Sequence, residues 1–165
     1  MMEIRQLQPG DNEPYRNLWV YGITEQPAFF RIAPEDDPAP SIPTQFRSDS
    51  FTLGAFTCRD LVGIVSFERD SRAKLRHKAL IFRMFVHPGT AGQGVGKALL
   101  QSVISSAEAI GDLRHVYLTV LASNERAIHL YSSFGFREFA RELGGVRIGD
   151  QYVDELQMAR RLGGT

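Results

Sequence analysis

The sequence predicts a mixed α/β domain in which a mostly antiparallel sheet is flanked by helices, and two observations support this. Three strand-like segments, residues 51–57, 61–67 and 79–86, follow one another with short connections, which indicates an antiparallel meander. From Gly89 onwards the pattern changes to a glycine-rich stretch and then to helical periodicity. With 165 residues and 43% hydrophobic content, the chain fits a single domain over residues 1–165 with one sizeable core.

The N-terminal part predicts one strand, one helix and a long connection. Residues 3–7 alternate between polar and apolar side chains, as a short strand does, and Asp11 or Asn12 can cap the helix that follows. The inner face of this helix is predicted from apolar residues at helical spacing: Tyr15, Leu18, Trp19 and Ile23. The proline-rich stretch 27–43 predicts an exposed connection. Short helical pieces are expected at two places, residues 28–30 and 44–46.

After the meander, the sequence predicts a helix, a strand, a helix and two final strands. The first helix should bury one apolar stripe, made of Val95, Leu99, Leu100, Val103, Ile104 and Ala107. Residues 115–121 predict a buried strand, and Asn124 and Gly135 suit the start and end of the second helix. The final strands are predicted at residues 136–140 and 152–158.

Composition excludes several function classes. Lys plus Arg and Asp plus Glu number 19 each, and the pI is about 6.9, so no net field favours nucleic acid or an anionic membrane. Cys58 is the sole cysteine, which excludes a disulfide framework and a Cys-rich metal site, and we expect it to be a small core residue. The start of the chain lacks the apolar region of a signal peptide, which predicts a cytoplasmic protein.

Three glycines within five residues, Gly92, Gly94 and Gly96, separate a predicted strand from a predicted helix. Backbone N–H groups at such a place are free of covering side chains, and the helix dipole adds partial positive charge, which suits a phosphate or pyrophosphate. Lys97 would add a full positive charge. The same glycines are also compatible with a plain tight turn between strand and helix.

The familiar nucleotide motifs do not fit this loop. The dinucleotide pattern Gly-x-Gly-x-x-Gly would need a third glycine where Lys97 or Leu99 stands. The nucleotide P-loop would need a glycine at Ala91 and a serine or threonine at Ala98. A nucleotide-binding domain is therefore the third-ranked interpretation, which preferential binding of ATP or NAD would restore.

Residues 86–100 resemble the acyl-coenzyme A loop of the GNAT superfamily of N-acetyltransferases. The family pattern there is a strand ending in Val-x-Pro, followed by Arg/Gln-x-x-Gly-x-Gly/Ala at the start of a helix. Val86 and Pro88 match the strand end, and Gly94 and Gly96 match the two small positions. Ala91 stands at the Arg/Gln position, so one side-chain contact with the pyrophosphate is missing and weaker binding is expected.

Residues 118–136 are similar to the second motif of the same family, Asn-x-x-Ala-x-x-Leu-Tyr-x-x-x-Gly-Phe. Every specified position is matched, by Asn124, Ala127, Leu130, Tyr131, Gly135 and Phe136. The two motifs stand in the family's order and at its usual separation, and residues 4–11 also look like its first strand and helix entry. The resemblance therefore covers nearly the whole chain.

This resemblance implies a mixed sheet of about seven strands that splays between strands 4 and 5, with acetyl-coenzyme A in the gap and no metal. The backbone of Phe85 and Val86 would bind the pantetheine arm, and Asn124 would contact that arm from the other side. On sequence alone, Asn124 is at least equally well interpreted as a helix N-cap. The diphosphate would contact Ala91, Gly92, Gln93, Gly94, Val95, Gly96 and Lys97.

Direct acyl transfer from a thioester to an amine needs a neutral amine, a stabilised oxyanion and a protonated leaving thiolate. Tyr131 is the predicted acid, because a phenol with a pKa near 10 can give a proton to the thiolate, although it also fits an amphipathic core tyrosine. A backbone N–H near Phe85 or Val86 would stabilise the oxyanion. The strand at 79–86 has no carboxylate, so Glu68 and His77 are the candidate bases, although both also fit solvated turn residues.

The acceptor side is expected from residues 22–46 and from the final hairpin, residues 143–152. A cationic amine would be favoured by acidic residues in the first of these segments, namely Glu25, Glu35, Asp36 and Asp37, although a polar surface loop is the commoner role. Aromatic side chains available to line the pocket are Trp19, Phe29 and Phe30.

The leading interpretation is an enzyme that transfers an acetyl or other acyl group from acetyl-coenzyme A to a primary amine of a small molecule or, second, of a protein. The alternative is a catalytically degenerate domain that binds acyl-coenzyme A as a regulator. Ala91 and the missing strand carboxylate favour the alternative, and the intact spacing from Asn124 to Tyr131 opposes it. A monomer or a homodimer is expected, without nucleic-acid or membrane partners.

Overall fold

The computed structural model describes residues 1–163 as seven strands and three α-helices. The elements in chain order are β1 (Met2–Gln6), α1 (Asn12–Glu25), β2 (Ser50–Thr57), β3 (Asp60–Arg69), β4 (Lys78–Val86), α2 (Val95–Glu108), β5 (His115–Leu121), α3 (Glu125–Ser133), β6 (Arg137–Ile148) and β7 (Gln151–Arg161). They form one sheet in the order β1-β2-β3-β4-β5-β7-β6. The predicted fold class and the seven strands are confirmed.

All strand pairs are antiparallel except β4 and β5, which are parallel and pair over three residues only. Lys78–Leu80 of β4 pairs with residues 115–117 of β5, and beyond this point the two strands follow different neighbours. Residues 81–86 stay with β3, while residues 118–121 stay with β7. The space between these two segments is called the gap below.

A bulge in β4 lies beside the gap. Ile64 of β3 pairs with Phe85, and Ser66 pairs with Phe82, so two residues of β4 oppose one residue of β3. Arg83 sits in this bulge with a φ of 49°, in the left-handed region that non-glycine residues rarely adopt. The bulge re-aims the side chains of β4 at the point where the strand leaves β5.

Hydrophobic cores lie on both faces of the sheet. Helices α2 and α3 cover one face, where the larger core includes Val65, Leu99 and Tyr131. Helix α1 covers the other face at its β2–β4 side, where Trp19, Ile64 and Phe85 pack together. The close approach of α2 is possible because Gly63 of β3 has no side chain; a Cβ there would lie 2.8 Å from Val95 Cγ1. None of the helices within residues 1–163 is both long and apolar enough to cross a membrane.

Two predictions of local structure are wrong. Cys58 is exposed in the turn between β2 and β3 with a φ of 49°, because the strand ends at Thr57, so it is not a core residue. Residues 44–46 are not helical: Thr44 is buried and its hydroxyl shares a 2.9 Å hydrogen bond with that of Thr52 in β2. The final strands also extend well beyond the predicted ranges, to Ile148 and Arg161.

Candidate active site at the gap between two strands

Strand β4 offers unpaired backbone groups to the gap at Val86. His87 N–H donates to the carbonyl oxygen of Val62 in β3 at 2.8 Å, and residues of a strand alternate in the edge to which their N–H and C=O groups point. Val86 therefore directs its N–H and C=O away from β3, towards the gap. The same alternation turns the backbone of Phe85 towards β3, while its side chain packs on the face covered by α1.

The glycine loop has the backbone geometry of an anion cradle. Gly92 and Gly94 have φ of 80° and 75°, and a Cβ at either position would meet no atom within 4 Å. They are glycines because of their backbone conformation, not because of crowding. Ala98 N–H makes the first helical hydrogen bond of α2, to Gly94 O at 3.0 Å. The N–H groups of residues 95–97 precede that bond and, with the helix dipole, favour an anionic ligand.

Gly96 connects this loop with the gap. A Cβ at Gly96 would lie 3.2 Å from Leu130 of α3 and within 4 Å of Met84 and Val86 of β4. The start of α2 therefore lies against both the second-motif helix and the free part of β4. Lys97, Gln93 and Ala91 are exposed at the rim of the same loop. The structure thus brings the predicted residues 91–97 together beside Val86.

Tyr131 of α3 points its hydroxyl at the gap. The side chain is 8% exposed, and its O–H donates to Met84 Sδ of β4 at 3.6 Å. Burial raises the pKa of Tyr131 to about 12, because the apolar surroundings disfavour the phenolate. The phenol is therefore protonated at every physiological pH, as a proton donor must be.

Asn124 caps α3 at the end of the gap. Its Oδ1 accepts a hydrogen bond from Ala127 N–H at 3.2 Å, which confirms the N-cap interpretation. The Nδ2 group is not needed for this cap. Asn124 and Tyr131 lie on one helix two turns apart, so the structure places the predicted ligand contact and the predicted acid along one side of the gap.

The structure does not bring the two candidate bases to Tyr131. Glu68 pairs with Leu80, where β4 is still joined to β5, and it accepts a 2.8 Å hydrogen bond from the Ser50 hydroxyl. His77 precedes β4, is exposed, and lies with its ring centroid 6.0 Å from that of His115. At about 3.3 Å per residue, four to seven residues separate these levels from Met84 by roughly 13–23 Å. A base role for either residue stays a prediction without support from this geometry.

Arg83 is a cation on the face covered by α1 that the sequence interpretation missed. Its guanidinium lies over the ring of Trp19, 5.2 Å from the centroid, and donates to the Tyr15 hydroxyl at 3.2 Å. It also contacts Asp37 Oδ2 at 3.4 Å. Asp37 had been predicted to attract a cationic amine, and in the structure it faces a cation of the protein. Trp19 is 3% exposed, and its Nε1 has no hydrogen-bond partner within residues 1–163.

Glu155 of β7 is a second missed residue on this face. It is 4% exposed, which makes it the one carboxylate among the buried residues of the described chain. Its Oε2 lies 3.1 Å from Arg31 Nε, and the Arg31 side chain is 62% exposed. Phe30, the residue before Arg31, packs 5.2 Å from Trp19 and 5.7 Å from Phe85 between ring centroids. The segment 30–31 therefore reaches from β4 to β7.

Two residues that were predicted to contact the acceptor amine, Phe29 and Asp36, do not have the surroundings that this role requires. Phe29 is 45% exposed, so it does not line a closed pocket, and Asp36 accepts a 2.7 Å hydrogen bond from Ala33 N–H. In the hairpin of β6 and β7, Leu143 and Tyr152 are exposed. Within residues 1–163 no cluster of His, Cys, Asp and Glu has the composition of a metal site.

Comparison with known proteins agrees with this geometry. Residues 16–136 match the acetyltransferase (GNAT) family. A phosphinothricin N-acetyltransferase of Streptomyces coelicolor is 28% identical over 149 residues, 84% of this chain and 86% of that protein. The Escherichia coli K12 [ribosomal protein bS18]-alanine N-acetyltransferase is 43% identical over 61 residues, 37% of this chain and 40% of that protein. A Vibrio cholerae spermidine N(1)-acetyltransferase is 26% identical over 61% of this chain and 56% of that protein.

Solved structures share the whole fold. An acetyltransferase of the GNAT family from Streptococcus pneumoniae superposes with a TM-score of 0.85 and 24% identity, over 99% of this chain and 100% of that one. A putative acetyltransferase from Salmonella typhimurium, solved with its cofactor acetyl-CoA, gives a TM-score of 0.81 and 19% identity over 100% and 96% of the two chains.

Proposed function

The chain belongs to the acetyltransferase (GNAT) family, and from this premise we propose that it moves the acetyl group of acetyl-coenzyme A to a primary amine of a small molecule. The observation that carries the proposal is the gap itself. On its rim lie a backbone edge at Val86, an anion cradle at residues 92–97 and a buried phenol at Tyr131. An acyl donor of this kind has three matching parts: a diphosphate for the cradle, a peptide-like arm for the edge at Val86 and a thioester for Tyr131.

The residues present fit the cosubstrate at two points. The positive φ of Gly92 and Gly94 leaves open space above the loop, and the N–H groups at the start of α2 point to where a diphosphate would bind. The Val86 carbonyl oxygen would accept a hydrogen bond from an amide N–H of the arm, as a neighbouring strand does. Asn124 Nδ2 would add a contact from α3. When bound, acetyl-coenzyme A supplies an activated acetyl group as its thioester.

The reaction then needs little from the protein beyond orientation and one proton. The lone pair of the neutral amine attacks the thioester carbonyl carbon, and the carbon–sulfur bond breaks with its electrons on sulfur. The attacking nitrogen releases its extra proton to solvent. Tyr131 donates its phenolic proton to the sulfur and regains one from solvent, and its raised pKa keeps the phenol protonated between turnovers. Val86 N–H stabilises the oxygen that carries negative charge in between.

A small molecule is preferred to a protein as acceptor because of how the acceptor side is covered. Segment 26–46 lies across the face that carries Trp19 and Phe85, and Phe30 packs on both. A covered site of this kind suits a compact amine better than a folded chain. Relatives are named for small amines such as spermidine, but also for the alanine of a ribosomal protein. A cytoplasmic monomer or homodimer completes the proposal.

The test is a calorimetric titration with acetyl-coenzyme A followed by thiol release with a panel of amines, polyamines and peptides. We expect micromolar binding and release that depends on one class of small amine, with a product heavier by one acetyl group. Release only with peptides would move the acceptor to a protein. Binding without release by any acceptor would favour the acyl-coenzyme A-binding regulatory domain, and no binding at all would contradict the proposal.

A further inference from the structure

Two ion pairs of opposite polarity hold segment 26–46, called the strap, across the acceptor face. Arg31 of the strap binds Glu155 of β7, and Asp37 of the strap contacts Arg83 of β4. In each pair, the sheet residue has the more buried side chain. The Glu155 side chain is 5% exposed against 62% for Arg31, and the Arg83 side chain is 25% exposed against 32% for Asp37. The strap thus brings one cation and one anion to a sheet that presents the matching anion and cation.

Along the strand direction, Glu155 and Arg83 both lie close to the position where the acetyl group would be transferred. Leu80 pairs with Tyr117 in parallel register, so four residues further along each strand Met84 and Leu121 stand opposite each other across the gap, apart from the offset of the bulge. Glu155 pairs directly with Leu121. Arg83 is the chain neighbour of Met84, whose sulfur receives the Tyr131 hydrogen bond. The two charges therefore flank the place where Tyr131 meets β4.

A buried charged carboxylate is costly without a partner, so Glu155 stays ionised only while a cation lies beside it. The same reasoning holds, more weakly, for the half-buried Arg83. An acceptor that enters from this face must move part of the strap, because Phe30 and Arg31 lie over the sheet there. It keeps both sheet charges paired only if it carries an ammonium group and an anionic group of its own.

Building on the proposed function, we propose that the acceptor is a zwitterionic amine of the amino-acid type, whose ammonium binds Glu155 and whose carboxylate or similar anion binds Arg83. The bound ammonium loses one proton to solvent before its nitrogen attacks the thioester, because only the neutral amine has a free lone pair. Arg31 and Asp37 are internal substitutes for these two groups, and the acceptor displaces them. Residues of the strap therefore compete with the substrate instead of binding it. This reverses the sequence-based expectation that Asp37 attracts a cationic amine.

The experiment uses the full chain and three matched sets of compounds: the standard amino acids, their carboxamides and the corresponding decarboxylated amines. Thiol release from acetyl-coenzyme A gives kcat/KM for each. We expect at least one amino acid to exceed its amide and its amine by about tenfold or more, since a site built for a charged group rejects analogues that lack it. Arg83→Gln should remove that preference and leave the affinity for acetyl-coenzyme A unchanged.

The variant Arg31→Ala distinguishes a strap that competes with the acceptor for Glu155 from a strap that only supports the fold. Removal of an internal competitor should lower the acceptor KM by about threefold or more. Glu155→Gln, which breaks the same ion pair from the other side, should raise that KM. Arg47→Ala is the matched control, because Arg47 is 61% exposed and pairs with Asp49 away from the gap. Titration with acetyl-coenzyme A checks that each variant is folded.

Three outcomes would overturn the inference. If decarboxylated amines or polyamines are acetylated as well as or better than amino acids, the zwitterionic class is wrong and the proposed transfer to amines stands. If Arg31→Ala and Glu155→Gln both raise the KM, the ion pair is structural and the strap does not compete. If acetyl-coenzyme A binds and no small amine is acetylated, both this inference and the small-molecule acceptor fail together.

Discussion

The two sides of the gap are built in different ways. The cofactor side, made of residues 91–97 with α2 and α3, uses backbone groups, one helix cap and one buried phenol from a continuous part of the chain. The acceptor side, made of α1, the strap and the β6–β7 hairpin, uses charged side chains that distant segments bring together. Under the proposed function, backbone geometry holds the common acyl donor, while the choice of acceptor depends on side-chain pairs that are easily exchanged.

If the proton donor of the reaction lies on the cofactor side, Tyr131→Phe should cause the largest loss of activity. We expect kcat to fall by about 10²–10⁴, since the proton donor is lost while the ring keeps its packing against Phe136. Steady-state thiol release measures kcat, and titration should show unchanged binding of acetyl-coenzyme A. Tyr117→Phe in β5 is the control and should keep full activity, because the ring packs on Lys78 and Phe139. An active Tyr131→Phe enzyme would show that solvent protonates the thiolate.

Alkaline unfolding compares a buried tyrosine of each side. Burial raises the pKa of Tyr131 to about 12, so the folded state is fully favoured below pH 10, where the unfolded phenol is neutral, and stability is lost as the pH rises through 12. Two pKa units correspond to about 3 kcal/mol of unfolding free energy. Burial also raises the pKa of Tyr15, but its hydrogen bond from Arg83 opposes that shift.

Urea unfolding at pH 8 and pH 11 measures this difference. Tyr131→Phe should reduce the alkaline loss of unfolding free energy more than Tyr15→Phe does. Equal reductions would mean that Arg83 does not stabilise the Tyr15 phenolate, and would weaken the distinction between an apolar cofactor side and a charged acceptor side.

Binding of acetyl-coenzyme A by the glycine loop should depend on the φ angles of its glycines and not on the space around them. Gly94→Val places a β-branched residue at a φ of 75°, which costs about 1–2 kcal/mol even though the added atoms meet no neighbour. If this strain opens the loop, acetyl-coenzyme A affinity falls by about tenfold. Gly111→Val is the control, because Gly111 is equally open but has no left-handed φ. Calorimetric titration of both variants decides, and similar affinities would show that the cradle tolerates another backbone conformation.

Sequence reasoning predicted the secondary-structure elements of the cofactor side closely. The strand His115–Leu121 is as predicted, and α3 starts directly after Asn124, because a helix cap and a buried strand are local patterns. The splayed strands were also predicted, but from family resemblance; periodicity alone does not show that β4 pairs with β5 over three residues.

The acceptor side was harder for a physical reason. Arg83 lies in a strand with apolar neighbours, and only the bulge turns it towards Tyr15 and Asp37, which are 68 and 46 residues away. Glu155 interrupts no pattern, because polar and apolar residues alternate from Glu155 to Met158, and its partner Arg31 comes from the distant strap. A carboxylate beside Asp154 in a terminal strand gave no signal that it is buried.

The smallest effect is expected at Asn124, where substitutions test whether this residue both caps α3 and contacts acetyl-coenzyme A. Asn124→Ala removes the cap of α3 and should cost about 1 kcal/mol of unfolding free energy. Asn124→Ser keeps a neutral oxygen for Ala127 N–H, so thermal unfolding should show a stability close to that of the wild type. The amide donor is lost in this variant without the addition of a charge, and a weaker affinity for acetyl-coenzyme A would then report the Nδ2 contact. If the affinity stays unchanged, Asn124 is a helix cap and the cofactor side relies on backbone groups throughout.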